Sequence, residues 1–457
     1  MHNQLKANSL SLFESLVMGV AGSAPGYTIA VTTAVLIGTT GVLAPGALLI
    51  FAVPMLGIAI AYKALNRKEA HAGAAYQWTT RAFGQFFGYF SGWALLIAAT
   101  VFMVSGSLPV ATATLDFVDP KLVSNVVLTA TVASGWFVVV ATVLIVGIEI
   151  TSRVQVVMTT IELFILLVVI VAALMHTGIA GMVNKFDWGW FGFGYTPGSF
   201  AASALIVVYF YWGWDVTANL GEETRDGHIN AGNGGFASIF VTILFYLGFT
   251  LSALFLFNVR DAEHLSDNII YNIAVAAGLG RTGGLFASVA VMLSSIATLE
   301  TTMLQFSRTL FAMGRDGAMW EGFGAVSART KTPVRAMAVL IGVGLVLLWM
   351  SSLMPTVSSI IAASVSAVGV QVAYYYGLAG LVAAWEFHKL YKYSLRQWLW
   401  LCVYPALSGI ALIGLGLYAI TTFNLITKIV GLGGLLVGIV FFRPWRYDPA
   451  KDKVPAP

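Results

Sequence analysis

The chain has 457 residues, 58% of them hydrophobic and 10% charged, with a mean hydropathy of +0.85 and a net charge of +4. A soluble domain of this size carries about 25% charged residues, so composition excludes an ordinary soluble enzyme and points to an all-α polytopic membrane protein. The single cysteine, Cys402, excludes a disulfide framework or a cysteine metal cluster and reads as packing.

Residues Met1 to Ser9 show no succession of basic stretch, apolar core and small-residue cleavage site, so the first apolar segment, about Glu14 to Thr40, is expected to be a retained span. Its centre holds Gly22-Ser23-Ala24-Pro25-Gly26. Two glycines and a proline weaken the backbone ladder where no water can replace it, which is tolerated only inside protein or beside a water-filled cavity. Such a break is either a simple kink or one part of a binding site.

Apolar runs of about 17–25 residues predict twelve spans, centred at about 27, 53, 97, 136, 165, 210, 246, 297, 344, 371, 409 and 433. With both termini in the cytoplasm, nineteen of the 24 Lys and Arg residues fall on that side, leaving Lys121, Lys185, Arg260, Arg281 and Lys428 outside. The positive-inside rule therefore agrees with the span count, and the net charge reflects topology rather than nucleic-acid binding. The connection Asn66 to Gly84, with Tyr76, Trp78 and Phe83 among its charges, predicts an interfacial amphipathic helix. Asp261 to Gly280 is expected to be an outer loop over the extracellular entrance.

The sixth span repeats the anomaly of the first, with Gly213 between Trp212 and Trp214, and Asp215 directly after them, at mid-membrane. Interrupted segments in matching positions of two halves are the best sequence pointer to a transporter's central site. Close helix packing is the alternative for Gly213. Three carboxylates lie deep in apolar spans, Glu162, Asp215 and Glu300, and intramembrane acids read as functional by default. Glu14, Glu149, Glu222 and Glu223 stand near span ends and are expected to be solvated.

Taken together, these motifs resemble the amino acid–polyamine–organocation family of permeases. The resemblance is carried by Gly22 to Gly26, by Gly73-Ala74-Ala75-Tyr76-Gln77-Trp78 with Arg81 and Gly84, and by Gly88 to Trp93. It continues through Arg153-Val154-Gln155, Gly213-Trp214-Asp215 to Glu222-Glu223-Thr224, Arg308, Ala312-Met313-Gly314-Arg315-Asp316-Gly317 and Thr332-Pro333. It implies a leucine-transporter-type fold: a 5+5 inverted repeat with broken helices 1 and 6, plus two C-terminal helices. The expected boundaries are 10–178 and 199–385 for the repeats, 396–442 for the last two helices (all within one transporter domain, 1–442), and 443–457 for a cytoplasmic tail.

The resemblance also implies an amine-bearing substrate, an amino acid or a polyamine. The expected binding segment is Ala21, Gly22, Ser23, Ala24, Pro25 and Gly26, in which the N–H groups around Ser23 to Gly26 would hold a carboxylate as helix N-termini hold anions. Carbonyls near Phe210 to Gly213 would accept from an ammonium, and Tyr209, Trp212 and Trp214 are aromatic walls or bundle packing. Many relatives carry a lysine nine residues after the arginine of the Arg-Val-Gln triplet, thought to occupy the space that sodium fills in sodium-coupled members. Here that position is Glu162, which makes it the expected proton-coupling carboxylate or a counter-ion for a cationic substrate, with Glu300 second for coupling. Ser294, Ser295 and Thr298 are oxygens for a possible sodium site, against the commoner habit of such hydroxyls of bonding backbone.

The six histidines are scattered, the glycines Gly232 to Gly235 read as a cytoplasmic loop, and neither a nucleophile elbow nor a phosphate loop is present. The expectation is a cofactor-free, metal-free secondary transporter of the cell membrane, not an enzyme, with exchange or sodium coupling as the alternatives. A channel or receptor fits less well, because two unlike broken helices suit alternating access better than a repeated pore.

Overall fold

The computed structural model describes residues 4–178, 181–263, 265, 269–422 and 425–444. His264, part of the expected outer loop and the tail from 445 onward lie outside the described residues.

The described residues fold almost entirely as helices: α1 (Leu12–Ser23), α2 (Pro25–Thr40), α3 (Ala44–Lys68), α4 (Ala75–Phe83), α5 (Gln85–Val118), α6 (Val126–Val146) and α7 (Ile148–Thr177). There follow α8 (Pro197–Phe210), α9 (Val216–Asn219), α10 (Gly227–Leu256), α11 (Val259–Glu263), α12 (Ile269–Ala274) and α13 (Gly280–Arg315). The last are α14 (Val334–Ser351), α15 (Val357–Phe387), α16 (Leu395–Trp398), α17 (Tyr404–Thr422), α18 (Leu425–Lys428) and α19 (Gly434–Phe441). Among the described residues, nine helical stretches are long and apolar enough to cross a membrane; the first, Leu12–Lys68, contains α1, α2 and α3. Pro197–Phe210 and Ile429–Phe441 are apolar but shorter.

Burial separates centre from periphery. The apolar window of α5 is 94% buried, against 28% for α14. Thus α5 is surrounded by protein while α14 turns Val343, Val346 and Trp349 outward, as a helix facing lipid does. The chain enters α1 through a capping box: Glu14 N–H donates to Ser11 Oγ at 3.3 Å and Ser11 N–H to Glu14 Oε2 at 2.7 Å, satisfying two otherwise free amides.

Three sequence expectations change here. The helix expected between 66 and 84 is present as α4, but residues 75 to 80 are all buried, so it is wedged against α5 and α15 instead of lying at an interface. Gly232 to Gly235 are not a loop; they lie inside α10 and let it approach its neighbours closely. A Cβ at Gly234 would stand 2.6 Å from Ser15 Cβ, and one at Gly235 2.4 Å from Thr217 Oγ1.

Glu222 and Glu223 are the third correction, since they are not solvated. Glu223 is fully buried and receives Arg308 through two bonds, Nε to Oε2 and Nη2 to Oε1, both 2.8 Å. Glu222 receives Arg315 through two bonds of 2.9 Å and the Ala72 N–H at 2.8 Å. Burial works against the Glu222 carboxylate, but Arg315, His71 and the Ala72 amide outweigh it and hold the carboxyl below its usual range. The segment before α1 joins this end of the bundle: Ser9 N–H donates to Glu223 O at 2.8 Å and Arg225 N–H to Leu10 O at 2.7 Å.

Candidate functional site

The first break is a single residue wide. Ala24 takes φ +48° and ψ +68°, ending α1 by donating its N–H to Val20 O at 3.0 Å. Pro25 then starts α2, where its missing N–H costs nothing. Two carbonyls next to the break accept side-chain hydroxyls: Ser23 O from Thr28 (2.9 Å) and Tyr246 (2.8 Å), and Gly22 O from Thr298 (3.1 Å).

The second break separates α8 from α9 and turns on Gly213, at φ +102°. The two breaks touch. A Cβ on Gly22 would fall 2.3 Å from Gly213 O, and one on Gly213 only 2.2 Å from Gly22 O. The broken helices therefore cross backbone on backbone, which only glycine at both positions allows.

Around this crossing the residues expected from sequence fall into separate groups. Ala21 to Gly26 and Tyr209 to Asp215 are all buried. Glu162, on α7, is 0% exposed and accepts the Gly26 N–H at 2.9 Å through Oε1. Its Oε2 is buried without a hydrogen bond, and Ser294 stands beside the carboxyl. The first turn of α2 thus already holds a carboxylate at its positive end.

Asp215 is likewise fully buried, but three neutral donors satisfy it: Gln305 Nε2 at 2.7 Å, Tyr375 OH at 3.1 Å and Tyr376 OH at 2.7 Å. The Tyr375 hydroxyl accepts the Trp212 indole N–H at 2.6 Å and so turns its own proton toward Asp215. Glu300 faces α7, where Gln155 Nε2 donates to its Oε2 at 2.5 Å. The three acids do not form one cluster, and none takes part in an ion pair among the described residues.

Aromatic rings pack beside the crossing. Tyr27 and Tyr209 hydroxyls meet at 2.9 Å. Phe102 stands 5.6 Å from Tyr27 and 5.3 Å from Trp212, ring centre to ring centre. Phe210 packs on Tyr246 at 4.9 Å. Trp214 points to the other side, against Tyr62 and Tyr376. Of the hydroxyls considered for sodium, Ser295 bonds Val291 O within its own helix and Thr298 donates to Gly22 O. No group of three or more His, Cys, Asp or Glu residues with metal-ligand geometry occurs among the described residues.

Sequence reasoning missed Tyr27, Phe102, Tyr246, Gln305, Tyr375 and Tyr376. The run Tyr374-Tyr375-Tyr376 in an apolar span was the available signal, since a phenol at membrane depth needs a partner.

Comparison with known proteins adds an independent line. A family model described as amino acid permease matches residues 10–438. The chain is similar to the uncharacterized amino acid permease YecA of Bacillus subtilis, 24% identical over 60% of this chain and 62% of that one. It is also similar to the branched-chain amino acid permease BcaP of Lactococcus lactis, 27% identical over 60% of this chain and 61% of that protein. A third relative is the low-affinity putrescine importer PlaP of Escherichia coli, 24% identical over 73% of each chain. The matched region spans less than two thirds of the first two relatives' own lengths.

Proposed function

The chain belongs to the amino acid permease family, and from that premise we propose that it is a secondary active transporter carrying an amine-bearing small molecule, an amino acid or a polyamine, by alternating access. Twelve spans follow if α1 with α2 is the first and α8 with α9 the sixth. Then α3, α5, α6 and α7 are the second to fifth, α10, α13, α14 and α15 the seventh to tenth, and α17 and α19 the last two. In that reading residues 10–178 and 199–385 are two inverted repeats, 396–442 an addition and 443–457 a tail. Both termini lie in the cytoplasm, and the protein spans the cell (cytoplasmic) membrane.

The observation that carries this reading is the crossing of Gly22 on Gly213, with a buried carboxylate bound to the start of α2 on one side and Asp215 on the other. Unwound backbone at membrane depth is expensive unless it serves a cavity or ligand. Here two unwound segments meet among aromatic rings, a setting suited to an ammonium group.

Proton coupling fits Glu162 better than sodium coupling. A buried carboxyl with no cation to pair with and one oxygen free of hydrogen bonds is a natural proton acceptor. Replacing Glu162 with Gln keeps an oxygen for the Gly26 amide while removing the titrating group. Uptake into proteoliposomes by Glu162→Gln is expected to lose its pH dependence, with expression and melting temperature unchanged. A pH profile identical to that of the parent chain would contradict the assignment.

A further inference from the structure

An amino acid would bring its carboxylate to the start of α2, and that place is filled from within. Pro25 has no N–H, Thr28 N–H returns to Ala24 O at 2.8 Å, and the Gly26 N–H goes to Glu162. Of the first-turn amides, only that of Tyr27 remains. The neighbouring carbonyls of Gly22 and Ser23 already take hydroxyls from Thr298, Thr28 and Tyr246.

We propose that the substrates of this chain are organic amines without a carboxylate group, because Glu162 supplies the carboxylate that an amino acid would carry in. This rests on reading the crossing as the substrate site. A second anion beside Glu162 would meet a like charge in surroundings that screen it poorly. It would also find one free amide where the cradle needs several.

An amine meets the opposite conditions. Glu162 Oε2 is a buried acceptor with only the Ser294 hydroxyl beside it, and the rings of Tyr27, Phe102, Tyr209 and Trp212 pack together beside the crossing, surroundings in which a cation meets π-systems. With Asp215 on the second broken helix, two carboxylates flank the crossing.

The test uses matched pairs that differ only by the carboxylate: agmatine and arginine, cadaverine and lysine, putrescine and ornithine. Each compound competes against labelled putrescine and labelled arginine for uptake by the purified full chain in liposomes. Each amine is expected to act at a concentration about tenfold or more below that of its amino acid. Glu162→Ala frees the Gly26 amide and should narrow the gap by improving the amino acids. Glu162→Gln, which keeps the amide occupied but removes the charge, should narrow it less.

Amino acids that equal or outcompete their amines, or a gap unchanged in Glu162→Ala, would overturn the proposal. Should Glu162→Ala not fold, the comparison in the parent chain and in Glu162→Gln still decides. Trp212→Ala separates the two levels of the claim. If arginine is the better substrate and its uptake is lost in Trp212→Ala, the site stands and the substrate class falls. If uptake of either labelled compound is indifferent to Trp212→Ala, or neither compound is taken up, the reading of the site itself fails, and the substrate class with it.

Discussion

Gly213→Val abolishes uptake and lowers the melting temperature sharply, the largest effect expected of any single substitution at the crossing. Gly213 sits at φ +102°, where a β-branched residue is strained by about 1–3 kcal/mol. Any Cβ there would also stand 2.2 Å from Gly22 O and 2.6 Å from Gly22 C. Both are backbone atoms, which cannot rotate away as a side chain can. Relief requires moving α1 or α8, and forced overpacking of this kind costs about a further 1–3 kcal/mol. Gly22→Val should behave alike, since its Cβ would meet Gly213 O at 2.3 Å. Gly342→Ala is the control: a Cβ there meets nothing within 4 Å, so melting and uptake should match the parent chain. Near-normal uptake by Gly213→Val would mean that the broken helices do not cross as described.

The second large effect lies at the Lys- and Arg-rich end. Arg308→Met should destabilise the protein by about 3–5 kcal/mol, because it leaves the Glu223 carboxylate buried without its partner. The double variant Arg308→Met with Glu223→Met removes both charges at once and should recover more than half of the loss, read as a shift in melting temperature in detergent. A double variant no more stable than the single one would show that the pair's role is not mutual neutralisation. Arg315 with Glu222 is less enclosed, with side chains 20% and 10% exposed, and Arg315→Met should cost correspondingly less. The two pairs join the segment after α9 to the end of α13. Loosening them therefore also tests whether binding at the crossing depends on this end of the bundle.

The breaks were legible in the sequence because glycine and proline at membrane depth have few explanations. What they do for each other was not. The contact of Gly22 with Gly213 and the bond from Gly26 to Glu162 join residues far apart in the chain, and no local pattern encodes such pairings. Glu162 stood out by its charge in an apolar run, so its burial was readable while its partner was not.

Glu222 and Glu223 were misread for the same reason. Beside a polar turn they look solvated, and only the fold brings Arg308 and Arg315 to them. Gly232 to Gly235 failed differently: turn chemistry suggested a loop, whereas in a tightly packed bundle glycine marks close helix approach. Asp215 was singled out as a buried acid, but its satisfaction by Gln305, Tyr375 and Tyr376 needed three side chains from two other helices.

Counterflow decides whether the crossing is the substrate site of a carrier. Liposomes holding the purified chain and loaded with unlabelled putrescine are diluted into labelled putrescine. A carrier with its site at the crossing accumulates label transiently above equilibrium, and both Gly213→Val and Trp212→Ala lose that overshoot. A steady current without overshoot, or an overshoot unaffected by Trp212→Ala, would contradict the account.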